Sequence, residues 1–288
     1  MKSSGRVAVP LYTDPALQRL LAQHFPAAFD AASFLPLDGL SGFSVKVSLP
    51  GSALVARRVA RGVMMPGVDR QREYRLLRKL AGSDGAPRVY GRNRHWLLLG
   101  WQPGEPLTPP QLDARIEDAI DEVVKLHRMP LTGYRLQLLP LLLSYWQRSD
   151  VRRRNLHWLR ALQRCQRLRE PRPLRLGVLH MDIHGANLLA DGDRLRLIDW
   201  EYAGDGDVAL ELAAMISANA FDHVQQQRLI IHYARLQHIN EQRLVQQMAR
   251  WRPWLELLAT SWYELRWQQS GEQHFHTLAA VGWRRITG

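Results

Sequence analysis

The stretch His180-Met181-Asp182-Ile183-His184-Gly185-Ala186-Asn187, with Asp199 following twelve positions after Asn187 in Leu197-Ile198-Asp199-Trp200-Glu201, restricts the fold more than any other part of the chain. Two short apolar runs, Asn187-Leu188-Leu189-Ala190 and Leu195-Arg196-Leu197-Ile198, flank the turn sequence Asp191-Gly192-Asp193, a pattern that predicts a β-hairpin. Such a hairpin returns Asp199 to the level of Asn187, beside an irregular loop that carries Asp182. Taken singly, each of the three would be an ordinary loop cap, because Asp and Asn readily satisfy local backbone amides. Together, two oxygen-bearing side chains on neighbouring segments suit magnesium, which takes few protein ligands and keeps waters and phosphate oxygens.

Around this hairpin the patterning divides the chain in two. Residues 14–25 carry a helical stripe of Leu17, Leu20 and Leu21, and the texture from Phe34 through Val47 and Leu54 to Val59 is that of strand, turn and strand. Residues 70–80 read as a helix with Tyr74, Leu77 and Leu80 on one side and Glu73 beside it; residues 87–90 and 96–99 are extended, and Gly100 to Gly104 breaks the pattern. Thr108-Pro109-Pro110-Gln111 has the chemistry of a capped helix start, and Leu112, Ile116, Ile120 and Val123 predict a single helix ending before Pro130. Residues 208–220, 224–235 and 253–268 read as further helices, whereas turn chemistry accounts for Asp205 and Asp207 between glycines. The expectation is an α+β, bilobal chain with a small β-rich lobe over residues 1–100 and a larger, mainly α-helical lobe over 101–288.

With 46% hydrophobic residues the chain can bury a substantial core. Its formal net charge of +12 suits nucleic acid, an anionic membrane or a phosphorylated small molecule. The densest basic tract runs through Arg152, Arg153, Arg154, Arg160, Arg164, Arg167, Arg169, Arg172 and Arg175, with Trp158, Leu159, Leu162 and Leu168 interleaved. A solvated helix face is favoured over a nucleic-acid surface, since no zinc-finger cysteines, RNA-binding aromatic signature or helix-turn-helix pattern accompanies it. Cys165 is the only cysteine, so an intramolecular disulfide and a thiolate zinc cluster are excluded, and a cytoplasmic location fits. The first residues lack an apolar signal core, and the run 138–145 is short and interrupted by Pro140, so neither export nor a membrane span is expected. A monomer is the default.

The set Asp182, Asn187 and Asp199 with its flanking residues resembles the aminoglycoside phosphotransferase and choline kinase superfamily, small-molecule relatives of protein kinases. Within it, the run from Leu197 to Asp207 continuing through Ala209 to Ala214, together with residues 138–142, 169–176 and the Trp-rich C-terminal part, is similar to the bacterial thiamine kinases. This resemblance implies a protein kinase-like fold, ATP as co-substrate, Mg2+ as cofactor and thiamine as phosphate acceptor. By position, Asp182 would orient the acceptor hydroxyl or take its proton, Asn187 and Asp199 would hold magnesium, and His180 would support the loop by hydrogen bonding. His184 is either a packing residue of the loop or a neighbour of the transferring phosphate. Gly39 to Ser44, with Ser41 and Gly42, resembles the loop that covers the ATP phosphates; Arg57 stands at the basic strand position with Glu73 as its helical partner, and Gly100 and Trp101 fall at the nucleotide side of the lobe boundary.

Two departures carry weight. Trp200-Glu201 stands where protein kinases place Phe-Gly, which removes a flexible glycine and implies a metabolite kinase with a fixed magnesium loop. Glu211 stands where relatives commonly have an Asp that anchors the catalytic loop. For a cationic acceptor the resemblance and the chemistry put forward His184, Glu201, Asp205 and Trp262, although Trp254, Leu258, Trp262 and Leu265 first read as a buried helix stripe. The alternatives are a kinase for another small alcohol, of choline or aminoglycoside type, and a catalytically silent basic nucleotide-binding protein.

Overall fold

The computed structural model describes residues 14–37, 43–59, 64–82 and 85–287. Ser41 and Gly42, expected at the phosphate-covering loop, lie outside the described residues. The chain divides into two compact units, Met1–Val63 with Pro87–Gln102, and Met64–Ala86 with Pro103–Gly288. Residues 64–86 therefore group with the second unit, although the sequence pattern alone joins them to the first.

In the first unit, helix α1 (Pro15–His24) is capped by Asp14, which accepts from the amides of Ala16 and Leu17 at 2.9 and 3.3 Å. It buries Leu17, Leu20 and Leu21. Strands β1 (Ser33–Leu37), β2 (Ser44–Leu49), β3 (Ser52–Arg58), β4 (Val89–Arg92) and β5 (Trp96–Gly100) form an antiparallel sheet in the order β1-β2-β3-β5-β4. Strand alternation turns Val45, Val47 and Leu49 of β2 and Leu54 and Ala56 of β3 inward, where they join Trp96, Leu98 and the leucines of α1 in one core.

The second unit is mostly helical: α2 (Arg70–Lys79), α3 (Pro109–Ala114), α4 (Ile116–His127), α5 (Leu138–Arg148), α6 (Leu156–Leu168), α7 (Val208–Ala218), α8 (His223–Gln237), α9 (Glu241–Ser270) and α10 (Gln273–Thr287). Two small sheets lie among them. The short β6 (Glu105–Pro106) pairs with β8 (Leu188–Asp191), which pairs with β9 (Arg194–Leu197), and β7 (Leu176–Leu179) pairs with β10 (Gly204–Asp207). The expected hairpin is β8–β9, with Leu188 opposite Leu197.

Three expectations are corrected. The single helix through Leu112 and Val123 is two, α3 and α4, interrupted at Arg115 with φ −123° and ψ 26°; the apolar stripe reports burial, which continues across the break. The helix placed at residues 253–268 begins twelve residues earlier, where Asn240 caps it by accepting from the amide of Arg243, and Pro253 sits inside it. A proline costs one backbone hydrogen bond and marks a helix start in most contexts, which is why the pattern broke there. The glycine-rich segment Gly204–Asp207 is a buried strand rather than a turn. It runs between β7 and residues 134–136, and the amide of Asp205 donates to Tyr134 O while that of Leu136 donates to Asp205 O, each at 2.8 Å. A Cβ at Gly204 would stand 2.7 Å from Tyr134 O and 2.8 Å from Leu136 Cδ2.

Helix α7 supports the loop that precedes β8. Asp207 caps it, accepting from Ala209 N at 3.3 Å, and Glu211 in its first turn is fully buried. The carboxylate of Glu211 accepts from the backbone amides of His180 and Met181 at 2.5 and 2.8 Å. At the other end of α7, Asn219 accepts from Gly185 N at 3.1 Å and donates to Ile183 O at 2.9 Å.

Gly204→Ala is expected to destabilise the protein by about 1–3 kcal/mol, since overpacking against backbone outweighs the ~0.5–1 kcal/mol that alanine gains in a strand. An unchanged urea midpoint in this variant would refute the close approach. Glu211→Gln replaces one of two acceptors with a donor that faces an N–H, and should cost about 1–3 kcal/mol. Urea unfolding checks the magnitude, and faster amide exchange at His180 and Met181 than at Leu188 checks the location.

Candidate active site

The loop from His180 to Asn187 is irregular because its backbone groups are satisfied by side chains rather than by a ladder. Beyond the Glu211 and Asn219 contacts, His180 is fully buried, its Nε2 donates to Ile198 O at 2.9 Å, and its ring meets that of Trp200 edge-on at 4.7 Å. Burial lowers the His180 pKa, with the negative charge of Glu211 opposing it in part. Through this hydrogen bond the imidazole braces the backbone one residue before Asp199. The Leu107 amide donates to Gly185 O at 3.0 Å, and a Cβ on Gly185 would lie 2.5 Å from Leu107 O, so only glycine fits this close approach.

Asp182, His184 and Asn187 come together within this loop. Asn187 Nδ2 donates to the backbone oxygen of Asp182 at 2.9 Å and to its carboxylate at 3.0 Å, and lies 3.1 Å from His184 Nε2. Because only the amide nitrogen can donate to these oxygens, the orientation of the Asn187 side chain is set and Oδ1 is its acceptor atom. His184 Nε2 is 3.6 Å from Asp182 Oδ1, which places His184 within the loop's own polar network. Burial pushes the Asp182 carboxyl above its usual range, and the repulsion of Asp199 adds to this, while His184, His180 and the Asn187 hydrogen bond act the other way.

Asp199 lies just beyond β9, and the backbone pairing of Ile198 N with Asn187 O at 3.1 Å brings the hairpin's open end to the loop. Its φ of 66° and ψ of 64° are left-handed, a conformation that Asp tolerates better than most residues. The chain then makes a 3₁₀ turn over Trp200–Tyr202, with the Trp200 indole donating to Leu197 O at 3.0 Å. An amide oxygen and a carboxylate are hard donors of the kind magnesium takes, so this set fits the metal that the sequence implied.

The remaining expected residues have contacts of their own. Glu201 is buried at 2% exposure and its carboxylate meets Arg70 at 2.9 Å, directed at helix α2. Glu73, expected as the partner of Arg57, also meets Arg70, at 2.6 Å. Asp205 accepts from Thr132 N, Thr132 Oγ1 and Gly133 N at 2.9, 2.8 and 2.6 Å, so its carboxylate fixes the 132–133 backbone. Trp262 donates from Nε1 to the hydroxyl of Tyr202 at 3.1 Å, three residues past Asp199. Burial and the charge of Glu201, with smaller contributions from Asp182 and Asp199, hold the Tyr202 phenol well above its ordinary pKa. In the first unit, Arg57 on β3 is buried between Ser44 of β2 and Leu97 of β5, and Gly100 ends β5 with its amide on Arg88 O at 2.7 Å. Trp101 continues the line of β5 by donating to Ala53 O at 3.0 Å, and Lys46 Nζ sits 3.9 Å from its ring centroid.

Sequence reasoning missed Arg70, Arg72 and Asn219. Arg70 and Arg72 are two of four arginines on α2, and an Asn at the end of a helix reads as a C-cap. Nothing in spacing distinguishes them.

The pattern of the phosphotransferase enzyme family matches residues 35–268. The thiamine kinase of Escherichia coli O17:K52:H18 (strain UMN026 / ExPEC) is 41% identical over 268 residues, covering 93% of this chain and 94% of that protein. The thiamine kinase of Shigella flexneri serotype 5b (strain 8401) is 41% identical over the same shares of both chains. Among solved structures, a choline/ethanolamine kinase family protein from Mesorhizobium loti matches with a TM-score of 0.71 at 19% identity, covering 94% of this chain and 92% of that one. That likeness carries the fold, which is α+β and protein kinase-like. With the family pattern spanning most of its length and kinases as its relatives, the chain belongs to the phosphotransferase enzyme family.

Proposed function

We propose that this chain transfers the γ-phosphate of ATP to the hydroxyethyl group of thiamine, giving thiamine monophosphate and ADP in thiamine salvage. The observation that carries the acceptor is the 41% identity to a thiamine kinase across 93% of the chain. Asp182 is assigned to the acceptor hydroxyl, which it orients and whose proton it takes as the O–P bond forms. Its carboxylate is steadied for this by Asn187 Nδ2. Asn187 Oδ1 and Asp199 are assigned as the protein ligands of Mg2+, which when bound neutralises charge on the ATP phosphates. Most of the acceleration is attributed to alignment and electrostatics, since a loose phosphoryl transition state requires little covalent help.

On the nucleotide side, the reading assigns Ser41 and Gly42 to the phosphate loop, Arg57 to the phosphates with Glu73 in support, and Gly100 and Trp101, at the end of β5, to ATP binding. For the acceptor, the engaged carboxylates of Glu201 and Asp205 favour an aromatic surface, and Trp262 with Tyr202 supplies one. His184 is assigned to loop packing. Among the described residues no helix is long and apolar enough to cross a membrane. We place the reaction in the cytoplasm, carried out by a monomer; the buried Cys165 thiol, pushed up to about 11, suits a reducing compartment.

The test is ADP formation with ATP and Mg2+ across thiamine, choline and aminoglycosides. Thiamine-dependent turnover is expected, and phosphorylation of choline without thiamine would overturn the acceptor. Absence of turnover with every alcohol, with salt-sensitive nucleic-acid binding, would favour a silent binding protein. Asp182→Ala is expected to lower kcat by about 10²–10⁴-fold with nucleotide binding retained. Asp199→Ala should instead weaken Mg2+-dependent nucleotide binding, measured by calorimetry at several Mg2+ concentrations.

A further inference from the structure

We propose that Arg70 is a positioning residue for the metal-holding loop. From the first turn of α2 its guanidinium grips Glu201 and so keeps Asp199, two residues earlier, in its left-handed conformation. The proposal rests on the reading of Asp199 as a metal ligand.

Asp199 is held differently on its two sides. Before it, the β8–β9 ladder and the Trp200 indole on Leu197 O fix the backbone. After it, the chain leaves the sheet in the 3₁₀ turn, and α2 takes hold of Glu201 at both ends of the residue. Arg70 Nη2 meets the Glu201 carboxylate at 2.9 Å, and Arg72 Nη2 donates to the Glu201 backbone oxygen at 3.1 Å. Arg72 also donates to Gly67 O. The other end of the Arg70 fork, Nη1, donates to Glu73 one turn along the same helix at 2.6 Å.

The arrangement is built rather than incidental. Asp69 caps α2 by accepting from the amides of Gln71 and Arg72 at 2.8 and 3.1 Å, which sets the first turn that projects both arginines. Arg70 is 5% exposed and Glu201 2%, so neither side chain is solvated out of position. A planar fork can serve Glu73 and Glu201 together with one nitrogen each, which a single ammonium cannot do with the same geometry. The Glu that follows Trp200 thus acts as a handle for the loop and not as a contact to the acceptor.

The test uses the full chain with Glu201→Gln, Arg70→Lys and Asp199→Ala, and circular dichroism with thermal melts as the fold control. Mn2+ binding is followed by electron paramagnetic resonance with a non-hydrolysable ATP analogue, and the Mg2+ dependence of turnover and the acceptor KM are measured alongside. Glu201→Gln is expected to weaken Mn2+ binding roughly tenfold, at the lower end of the effect of removing a partner that orients a metal ligand. Its acceptor KM should stay at the parent value, and excess Mg2+ should restore most of its turnover. Arg70→Lys, which keeps the charge and loses the fork, should fall between parent and Glu201→Gln, and decides the matter on the same readouts if Glu201→Gln does not fold. Unchanged Mn2+ affinity in a folded variant, or a raised acceptor KM with unchanged metal affinity, would overturn the proposal. Asp199→Ala separates the two levels: parent-like Mn2+ binding there would remove the ligand assignment itself.

Discussion

The site depends on one buried carboxylate. Glu211 accepts from two successive backbone amides, those of His180 and Met181, and Met181 between the contact and Asp182 has a φ of 67°. A left-handed residue other than glycine costs about 1–2 kcal/mol. A hydrogen bond to a charged acceptor contributes about 1.5–3 kcal/mol, so two of them outweigh the strain. The first turn of a helix is also a favourable place for the negative charge that does this. Remove the carboxylate and the loop has the strain without its compensation, while Asn219 still holds Ile183 and Gly185 further along.

The same logic sorts the acids that follow Asp199. Glu201, Asp205, Asp207 and Glu211 are all buried, and each is engaged by its own set of donors. Glu201 has the Arg70 guanidinium, Asp205 the Thr132 and Gly133 amides, and Glu211 the loop amides. Asp207 takes Gln247 Nε2 and Trp251 Nε1 at 2.6 and 2.8 Å while capping α7. Buried charge without such partners would be costly, so the crowd of carboxylates that follows Asp199 is mainly a framework. It fixes loop, strand, helix cap and turn in one region, and leaves Asp182, Asn187 and Asp199 to the proposed chemistry.

This framework was only partly legible in the sequence. The hairpin was, because period-two runs around Asp-Gly-Asp admit few alternatives, and with it came the pairing of Asn187 with the residue before Asp199. The Thr108 cap was legible from capping chemistry, and the helix after Asp207 from its residue pattern, without Asp207 as its cap. Gly204 to Asp207 was not, since a strand that needs hydrogen atoms for side chains has the same letters as a turn and only its neighbours, Tyr134 and Leu179, tell them apart. Pro253 misled for a similar reason: the helix through it is held by packing along thirty residues, which local propensity cannot register. Arg70 was hidden because ion pairing across 131 positions leaves no periodic trace in a chain rich in arginine.

On the proposed function, with those carboxylates committed, a cationic acceptor is recognised in another way. Tyr202 stays protonated and accepts from the Trp262 indole, so the pair offers neutral π-surface three residues from Asp199. A cation over such a surface gains about 0.5–2 kcal/mol, which corresponds to roughly 2–30-fold in affinity. That is too little to exclude every other small alcohol by binding. The larger discrimination then falls to alignment, because a hydroxyl displaced from Asp182 by an ångström loses far more in rate than an aromatic contact restores.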